Sequence, residues 1–256
     1  MAGRYPNYSG ATYSFGPGPL TPAIKMLVLV NVGMFLLTGI VPAMVLRLGL
    51  VPAMVVQELA IWQPVTYMFL HGGITHILFN MLALWMFGSD LERTWGTRFF
   101  TKYYFVTGIG AALVTIAWAL SPLPFADTIY YTATIGASGA IYGILLAYGL
   151  YFPDRPIYVY FVFPIPAKYF VMIMGAIAFF SSIGSGGGGT AHWTHLGGLV
   201  VGYFYLKGLR ARPLDELKYR WLRWKMQRSR SRFDVYSGGR RGGDDEWKSD
   251  WKKHIH

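Results

Sequence analysis

The chain has 256 residues, of which 54% are hydrophobic, 17% aromatic and only 14% charged. The charged fraction is well below that of an average soluble domain, so the composition favours a membrane protein. The 31 glycines agree with this class, because glycine lets membrane helices approach closely. The absence of cysteine excludes a disulfide scaffold, a thiol nucleophile and a thiolate metal site.

The net charge of +11 is concentrated towards the C-terminus. From Lys207 onward the chain holds 15 of its 23 basic residues and 7 of its 12 acidic ones. The first 24 residues are polar and lack the basic start and apolar core of a cleavable signal peptide. We therefore expect the first apolar helix to stay in the mature protein.

Six apolar runs predict an all-α, polytopic membrane protein with six transmembrane helices. The predicted bounds are 24–46, 74–93, 98–120, 138–152, 167–183 and 193–209. The fourth run reaches only about 22 Å as a helix, which is less than the roughly 30 Å of the hydrocarbon core. This helix is therefore predicted to begin below the membrane surface.

These runs divide the chain into an N-terminal segment, 1–23, a six-helix domain, 24–209, and a basic tail, 210–256. Part of the tail, 213–230, is basic and partly amphipathic, so we expect it to contact anionic lipid. The composition gives no reason to expect a nucleic-acid partner.

Basic residues in short loops favour the cytoplasmic side of a membrane. They occur in the tail and in two loops, 92–98 and 154–168. The other three loops carry a single basic residue, Arg47, and span 47–73, 121–137 and 184–192. We therefore expect both termini to be cytoplasmic and these three loops to be external. The charged turn that begins at Glu92 is interpreted as a cytoplasmic helix boundary.

The external loop 121–137 is expected to descend without helical structure to the start of the fourth helix. Irregular backbone at membrane depth is tolerated only inside protein or beside a water-filled cavity. The loop therefore predicts a cavity that is open to the outside.

Polar residues on three predicted helices lie at similar depth. His76 and Asn80 are four residues apart and share one helix face, Ser138 opens the fourth helix, and His195 lies on the sixth. Counted to the first cytoplasmic charge, all four lie about 15 to 24 Å deep at ~1.5 Å per residue. Polar groups inside a membrane are costly, so this layer predicts a buried polar active site.

Small residues spaced four apart predict close packing of the fourth and sixth helices. They are Gly139 and Gly143 on the fourth helix, and Gly198 and Gly202 on the sixth. If these faces meet, the neighbouring serine and histidine come within hydrogen-bonding range. A serine requires such a base to become nucleophilic.

Three segments resemble the signature segments of the rhomboid intramembrane serine proteases, and they occur in the family's order. They are His-Gly-Gly-Ile-Thr-His-Ile-Leu-Phe-Asn at 71–80, Gly-Ala-Ser-Gly at 136–139 and His-Leu-Gly-Gly-Leu-Val-Val-Gly at 195–202. The resemblance covers roughly residues 24–209. It implies a six-helix rhomboid fold and an intramembrane endopeptidase.

The resemblance implies that Ser138 is the nucleophile and His195 the general base, in a dyad without a third carboxylate. It also implies that Tyr142 stacks on the histidine, and that Gly136 and Gly139 support the site.

The resemblance assigns His76, Asn80 and the backbone amide of Ser138 to the oxyanion hole. Donors aimed at developing negative charge in a water-poor site contribute several kcal/mol to catalysis.

The resemblance further implies membrane-protein substrates, chiefly single-pass proteins cut near small residues, that enter from the bilayer. Loop 184–192 would cap the cavity, since its glycine run is flexible. No metal or organic cofactor is expected. A six-helix core without a targeting peptide is typical of a prokaryotic plasma membrane.

Three alternatives remain open. A rhomboid-like pseudoprotease or chaperone would bind helices without cutting them. A metal site could use four histidines, although no His-Glu-x-x-His motif is present. These histidines are His71, His76, His192 and His195. A transporter or channel would need polar residues across the whole bilayer, and the fourth helix is apolar below Tyr142 apart from a tyrosine. His71 and His192 are not assigned to the catalytic set.

Overall fold

The computed structural model describes residues 17–159, 162–184 and 190–211. Within these ranges the chain is mostly helical. In chain order, the helical elements before the predicted nucleophile are α1 Pro22–Ile40, α2 Ala43–Leu48, α3 Pro52–Gln57, α4 Gln63–Thr66, a 3₁₀ turn Tyr67–Phe69, α5 Ile74–Ala83, a π-helical turn Leu84–Gly88, α6 Ser89–Trp95, α7 Thr97–Ala119 and α8 Ala126–Tyr131. They are followed by α9 Ser138–Tyr151, β1 Pro156–Val159, β2 Phe163–Pro166, α10 Ala167–Gly184 and α11 Thr190–Ala211.

Three helices of the described part are long and apolar enough to cross a membrane. They are Pro22–Ile40, the continuous helix Ile74–Trp95 and Thr97–Ala119. Shorter apolar helices span Ser138–Tyr151 and Ala167–Ser182. The count of six crossings therefore stays a prediction.

Several predicted features lie outside the described residues. They are most of the N-terminal segment, the basic tail from residue 212 and the glycine run of the predicted cap, 185–189. The division of the chain into three parts, the lipid contact of the tail and the capping loop therefore stay predictions.

The first helix is shorter than predicted, because it ends before Pro42. A residue that precedes proline is disfavoured in the helical region, and Val41 accordingly adopts φ −124° and ψ 76°. The predicted single helix 24–46 is therefore wrong: α1 ends at Ile40, and α2 is a separate helix.

Glu92 is a buried anchor for the start of α1, and its interpretation as a plain cytoplasmic boundary is incomplete. Its carboxylate accepts hydrogen bonds from the backbone N–H of Ala23 at 2.9 Å and of Ile24 at 3.2 Å. The hydroxyls of Thr21 and Thr97 also donate to it. A helix start leaves unpaired N–H groups, and here a side chain from α6 satisfies two of them.

The central pair of helices is α7 and α9. The Tyr103 hydroxyl of α7 donates to the carbonyl of Gly143 on α9 at 2.8 Å. A Cβ added to Gly143 would lie 2.6 Å from the Cβ of Thr107, so only glycine permits this approach. Of the 14 residues of α9, 10 are buried, which places this helix in the core of the molecule.

The glycine-lined faces of α9 and α11 meet, as the sequence predicts. A Cβ on Gly198 would overlap the carbonyl oxygen of Gly139, and one on Gly202 would lie 3.3 Å from the Cα of Gly143. Such contacts bring the two helix backbones together.

The segment before α9 differs in part from the prediction. It was expected to be non-helical over 121–137, but α8 occupies Ala126–Tyr131. Near the end of this segment, Thr134 pairs with Leu50 through two backbone hydrogen bonds of 2.9 and 2.8 Å. The short connection between α2 and α3 thus holds the segment that leads into α9.

A two-stranded antiparallel hairpin, β1 and β2, is a local addition to the predicted all-α fold. It lies between α9 and α10, with Tyr158 opposite Pro164. Next to it, Arg155 forms an ion pair with Asp90 of α6. The end of α9 that lies away from Ser138 is thereby tied to α6.

Candidate active site

Ser138 is the first residue of α9, and the backbone that leads into it is unusual. Gly136 has φ +126°, a backbone conformation that residues other than glycine rarely adopt. The backbone N–H of the first helical residues has no acceptor within the helix. This turn therefore presents both the Ser138 hydroxyl and its backbone amide at the start of α9.

The structure brings Ser138 and His195 together. Ser138 Oγ lies 2.7 Å from His195 Nε2, although the two residues are 57 positions apart in the chain. If Nε2 accepts the serine proton, the proton of the neutral ring is on Nδ1. This nitrogen is buried and has no hydrogen-bond partner among the residues that the structure describes. The orientation of the ring therefore depends on packing.

Tyr142 supplies much of that packing. Its ring stacks on His195 with a centroid distance of 4.3 Å and an angle of 7° between the planes. Tyr142 lies one turn after Ser138 on α9, so the same helix carries the nucleophile and the surface that supports the histidine. The predicted stacking contact is present.

His76 of α5 lies beside the turn before Ser138. A Cβ on Gly136 would lie 2.8 Å from His76 Nε2 and 3.6 Å from Ser138 Oγ, so both atoms border the same position. The backbone N–H of Gly72 donates to His76 Nδ1 at 3.3 Å. Because Nδ1 accepts, the ring proton is on Nε2, the nitrogen that faces the turn.

Asn80 is buried one turn further along α5. Its side-chain amide donates to the backbone carbonyl of His76 at 2.8 Å. The structure therefore keeps Asn80 and His76 together on one face, as their spacing predicts. In this arrangement the amide nitrogen is bonded within its own helix.

Tyr67 is a buried support that the sequence did not indicate. Its carbonyl accepts a hydrogen bond from the backbone N–H of Gly136 at 2.9 Å, and its hydroxyl donates to the carbonyl of Gly108 at 2.7 Å. One residue thereby ties the turn before Ser138 to α7. No spacing rule would have found it, because its partners lie on distant elements.

Gly139 lies where four elements converge. A Cβ at this position would lie 2.9 Å from the Tyr67 hydroxyl and 3.0 Å from both Ala111 and Thr194. Any larger residue would force these elements apart beside the serine. Its supporting role in catalysis stays a prediction.

The two histidines that were left out of the catalytic set pack against those within it. His71 meets His76 edge to face at 5.0 Å, and His192 meets His195 at 5.8 Å. In the described part of the chain no group of three or more metal-ligating side chains is arranged to hold a metal ion.

A family model described as the Rhomboid domain matches residues 58–212, which is more than half of the chain. The chain belongs to the rhomboid family. With its long apolar helices, this rhomboid is an integral membrane protein.

Several curated proteins are similar to this rhomboid. It is 39% identical over 95 residues to "Rhomboid protease AarA" of Providencia stuartii, covering 35% of this chain and 34% of that protein. It is 34% identical over 148 residues to "Rhomboid protease GluP" of Bacillus subtilis, covering 56% and 25%. It is 30% identical over 143 residues to "Rhomboid protein 1, mitochondrial" of Saccharomyces cerevisiae, covering 54% and 38%. The matches thus span about a quarter to two fifths of these relatives.

Proposed function

We propose that this rhomboid is an intramembrane serine endopeptidase in which Ser138 attacks the substrate and His195 is the general base. The observation that carries the proposal is the 2.7 Å contact between Ser138 Oγ and His195 Nε2. The stacked Tyr142 ring supports it, since it holds the histidine in the orientation that proton transfer requires. Relatives that are named as proteases support the reaction class.

In the first step, Ser138 Oγ bonds to the carbonyl carbon of the scissile peptide while His195 Nε2 takes the hydroxyl proton. The carbonyl electron pair moves to oxygen and forms an oxyanion. We propose that the Ser138 backbone N–H and the His76 Nε2–H donate hydrogen bonds to it. Asn80 would contribute once its amide turns away from the backbone of its own helix. Such donors stabilise the charge that develops in the transition state.

In the second step, the C–N bond breaks and His195 gives its proton to the leaving amine, which leaves an acyl-enzyme on Ser138. Water then attacks the ester carbonyl as His195 accepts one of its protons. The bond between the carbonyl carbon and Ser138 Oγ then breaks as His195 returns its proton to Oγ, which releases the acid and restores the serine hydroxyl. These residues carry the reaction without a metal or organic cofactor.

The proposed substrate class rests on membership of the rhomboid family. A nucleophile that opens a membrane helix meets peptide bonds of other membrane proteins, and we propose single-pass segments cut near small residues. We also propose six crossings with both termini cytoplasmic, within the domain 24–209. We further propose that the protein resides in a prokaryotic plasma membrane and that its basic tail contacts anionic lipid.

The test is cleavage of a single-pass substrate in detergent, run in parallel with labelling by a fluorophosphonate probe. We expect wild type to cleave and label, Ser138→Ala to do neither, and His195→Ala to lose most of both. Loss of a catalytic serine costs on the order of 10⁶ in kcat in a characterised serine protease. The rates are compared on protein of equal folded fraction.

Ser182→Ala is the matched control. Ser182 also lies in an apolar helix, α10, where its side chain is buried and its hydroxyl donates to the carbonyl of Phe179. This variant should cleave and label like wild type. A folded wild type that neither cleaves nor labels would favour the pseudoprotease alternative instead.

A further inference from the structure

His195 requires a rigid support, because no side chain among the described residues forms a hydrogen bond with its Nδ1 nitrogen. Its Nδ1 atom is buried without a hydrogen-bond partner among the described residues. Tyr142 supports one face of the ring, but stacking leaves the ring able to slide in its own plane. The rotation of α11 about its own axis therefore decides whether Nε2 reaches Ser138.

A hydrogen bond between helices lies next to the histidine in the chain. Thr194 Oγ1 lies 2.8 Å from Thr115 Oγ1 of α7, and the two residues are 1% and 0% exposed. Thr115 Oγ1 is also 2.9 Å from the carbonyl of Ala111. Both contacts are satisfied when Thr194 donates to Thr115 and Thr115 donates to Ala111.

This hydrogen bond is located where it controls the rotation of α11. Successive helical residues are about 100° apart around the axis, so a constraint on Thr194 fixes the direction of His195. Threonine is also stiff at χ1, which makes it a precise contact. On its other side, Thr194 lies against Gly139, one residue after the predicted nucleophile.

Two further contacts hold the same face of α11 against α7. The rings of Trp118 and Trp193 stack at 3.7 Å with 27° between their planes. A Cβ on Gly197 would lie 3.1 Å from the backbone of Ala111, so the two helices approach closely there. The threonine pair lies between these two contacts. Of the three contacts it is the hydrogen bond, whose strength depends on the direction of the side chains.

We propose that Thr115 and Thr194 are positioning residues, whose hydrogen bond sets the rotation of α11 and holds His195 against Ser138. This inference rests on the proposed protease function. It assigns to an interhelical bond the orienting task that a third carboxylate performs in a catalytic triad. An isolated hydrogen bond in a membrane contributes modestly to stability. A small misplacement of a catalytic group, in contrast, has a large effect on rate.

The test uses Thr115→Val and Thr194→Val, which remove a hydroxyl and keep the side-chain shape. Each should lower kcat about fivefold to twentyfold and leave KM within about twofold, because the geometry of reaction changes and binding does not. Labelling of Ser138 by the fluorophosphonate should slow by a similar factor. Thr115→Ser and Thr194→Ser should restore both rates, since they keep the hydroxyl.

The double variant tests whether the two hydroxyls act as one unit. If they do, Thr115→Val with Thr194→Val should lower kcat no further than the single change that has the larger effect. Should Thr194→Val fail to fold, Thr115→Val carries the same prediction from the other half of the bond.

Thr107→Val is the matched control. Thr107 is equally buried on α7, but its hydroxyl bonds only to carbonyls of its own helix among the described contacts, at Tyr103 and Tyr104. It should keep the wild-type kcat and labelling rate.

Two results would overturn the inference while leaving the protease function standing. They are a wild-type kcat in both valine variants, or a lower melting temperature with kcat per folded enzyme unchanged. A wild type that neither cleaves nor labels would overturn the proposed function and this inference with it.

Discussion

The helices that carry the two sides of the predicted site, α9 and α5, are packed in opposite ways. In α9, 10 of the 14 residues are buried, and its neighbour α11 lies in backbone contact with it. In α5, only Ile77 and Asn80 of 10 residues are buried, while Ile74 and Phe79 are 73% and 66% exposed. The proposed nucleophile and base thus lie on two helices that pack closely against each other, and the proposed oxyanion donors lie on a helix whose outer face is exposed.

This difference separates two requirements of the proposed chemistry. Proton transfer between Ser138 and His195 needs fixed geometry, which the packed pair α9 and α11 supplies. Binding a substrate segment from the bilayer needs an accessible side, which α5 supplies. A π-helical turn, Leu84–Gly88, interrupts the helix directly after α5, and such turns are frequent at functional sites.

The largest expected effect comes from disrupting the close contact between α9 and α11. Gly198→Ala should lower the free energy of unfolding by about 1 to 3 kcal/mol and reduce cleavage to background, because the new Cβ would overlap the Gly139 carbonyl. Thermal unfolding in detergent and cleavage rates measure the two effects.

Gly33→Ala on α1 is the control for that change, since a Cβ there has no neighbour within 4 Å. It should fold at least as well as wild type, because alanine favours a helix over glycine. A Gly198→Ala protein with wild-type stability and activity would disprove the importance of the contact.

The next effect concerns α5, the helix with the exposed outer face. His76→Ala should lower kcat about 10²-fold to 10³-fold, the usual cost of removing one oxyanion donor. Its melting temperature should stay near that of wild type, because the side chain is only partly buried.

Leu78→Ala, an exposed change on the same helix, should leave kcat unchanged. If both variants lowered kcat equally, α5 would act through its packing, and the donor role of His76 would be wrong.

The smallest effect tests how Tyr142 of α9 supports His195. Tyr142→Ala should lower kcat about tenfold to a hundredfold, which is less than the loss in Ser138→Ala. Tyr142→Phe should stay within about twofold of wild type, because the stack with His195 uses the ring. Single-turnover cleavage measures both. A large loss in the phenylalanine variant would mean that the hydroxyl acts in the reaction.

The sequence predicted the long helices well where apolar runs were uninterrupted. The prediction 98–120 corresponds to Thr97–Ala119, and 138–152 to Ser138–Tyr151. It also singled out Ser138 and His195, which lie 2.7 Å apart in the structure, because polar residues in apolar helices are conspicuous. The spacing of the glycines predicted that their helices meet.

The same reasoning from apolar runs missed several local features of the fold. The break at Val41, the short helix α8 and the hairpin after α9 were missed, because hydrophobicity over a long window does not resolve turns. Of these, the break is explained by a local rule, the restriction on residues before proline.

The sequence by itself determined the family, the membrane class and the identity of the predicted site residues, since these follow from composition, apolar length and local motifs. Only the tertiary structure decided how the site is supported. Glu92 caps a helix 69 residues away, and Thr115 meets Thr194 across 79 residues. Such contacts depend on how helices rotate and approach, and that is set by the packing of many side chains at once. No pattern along the chain encodes those rotations, so the orientation of His195 emerges only when the helices are assembled.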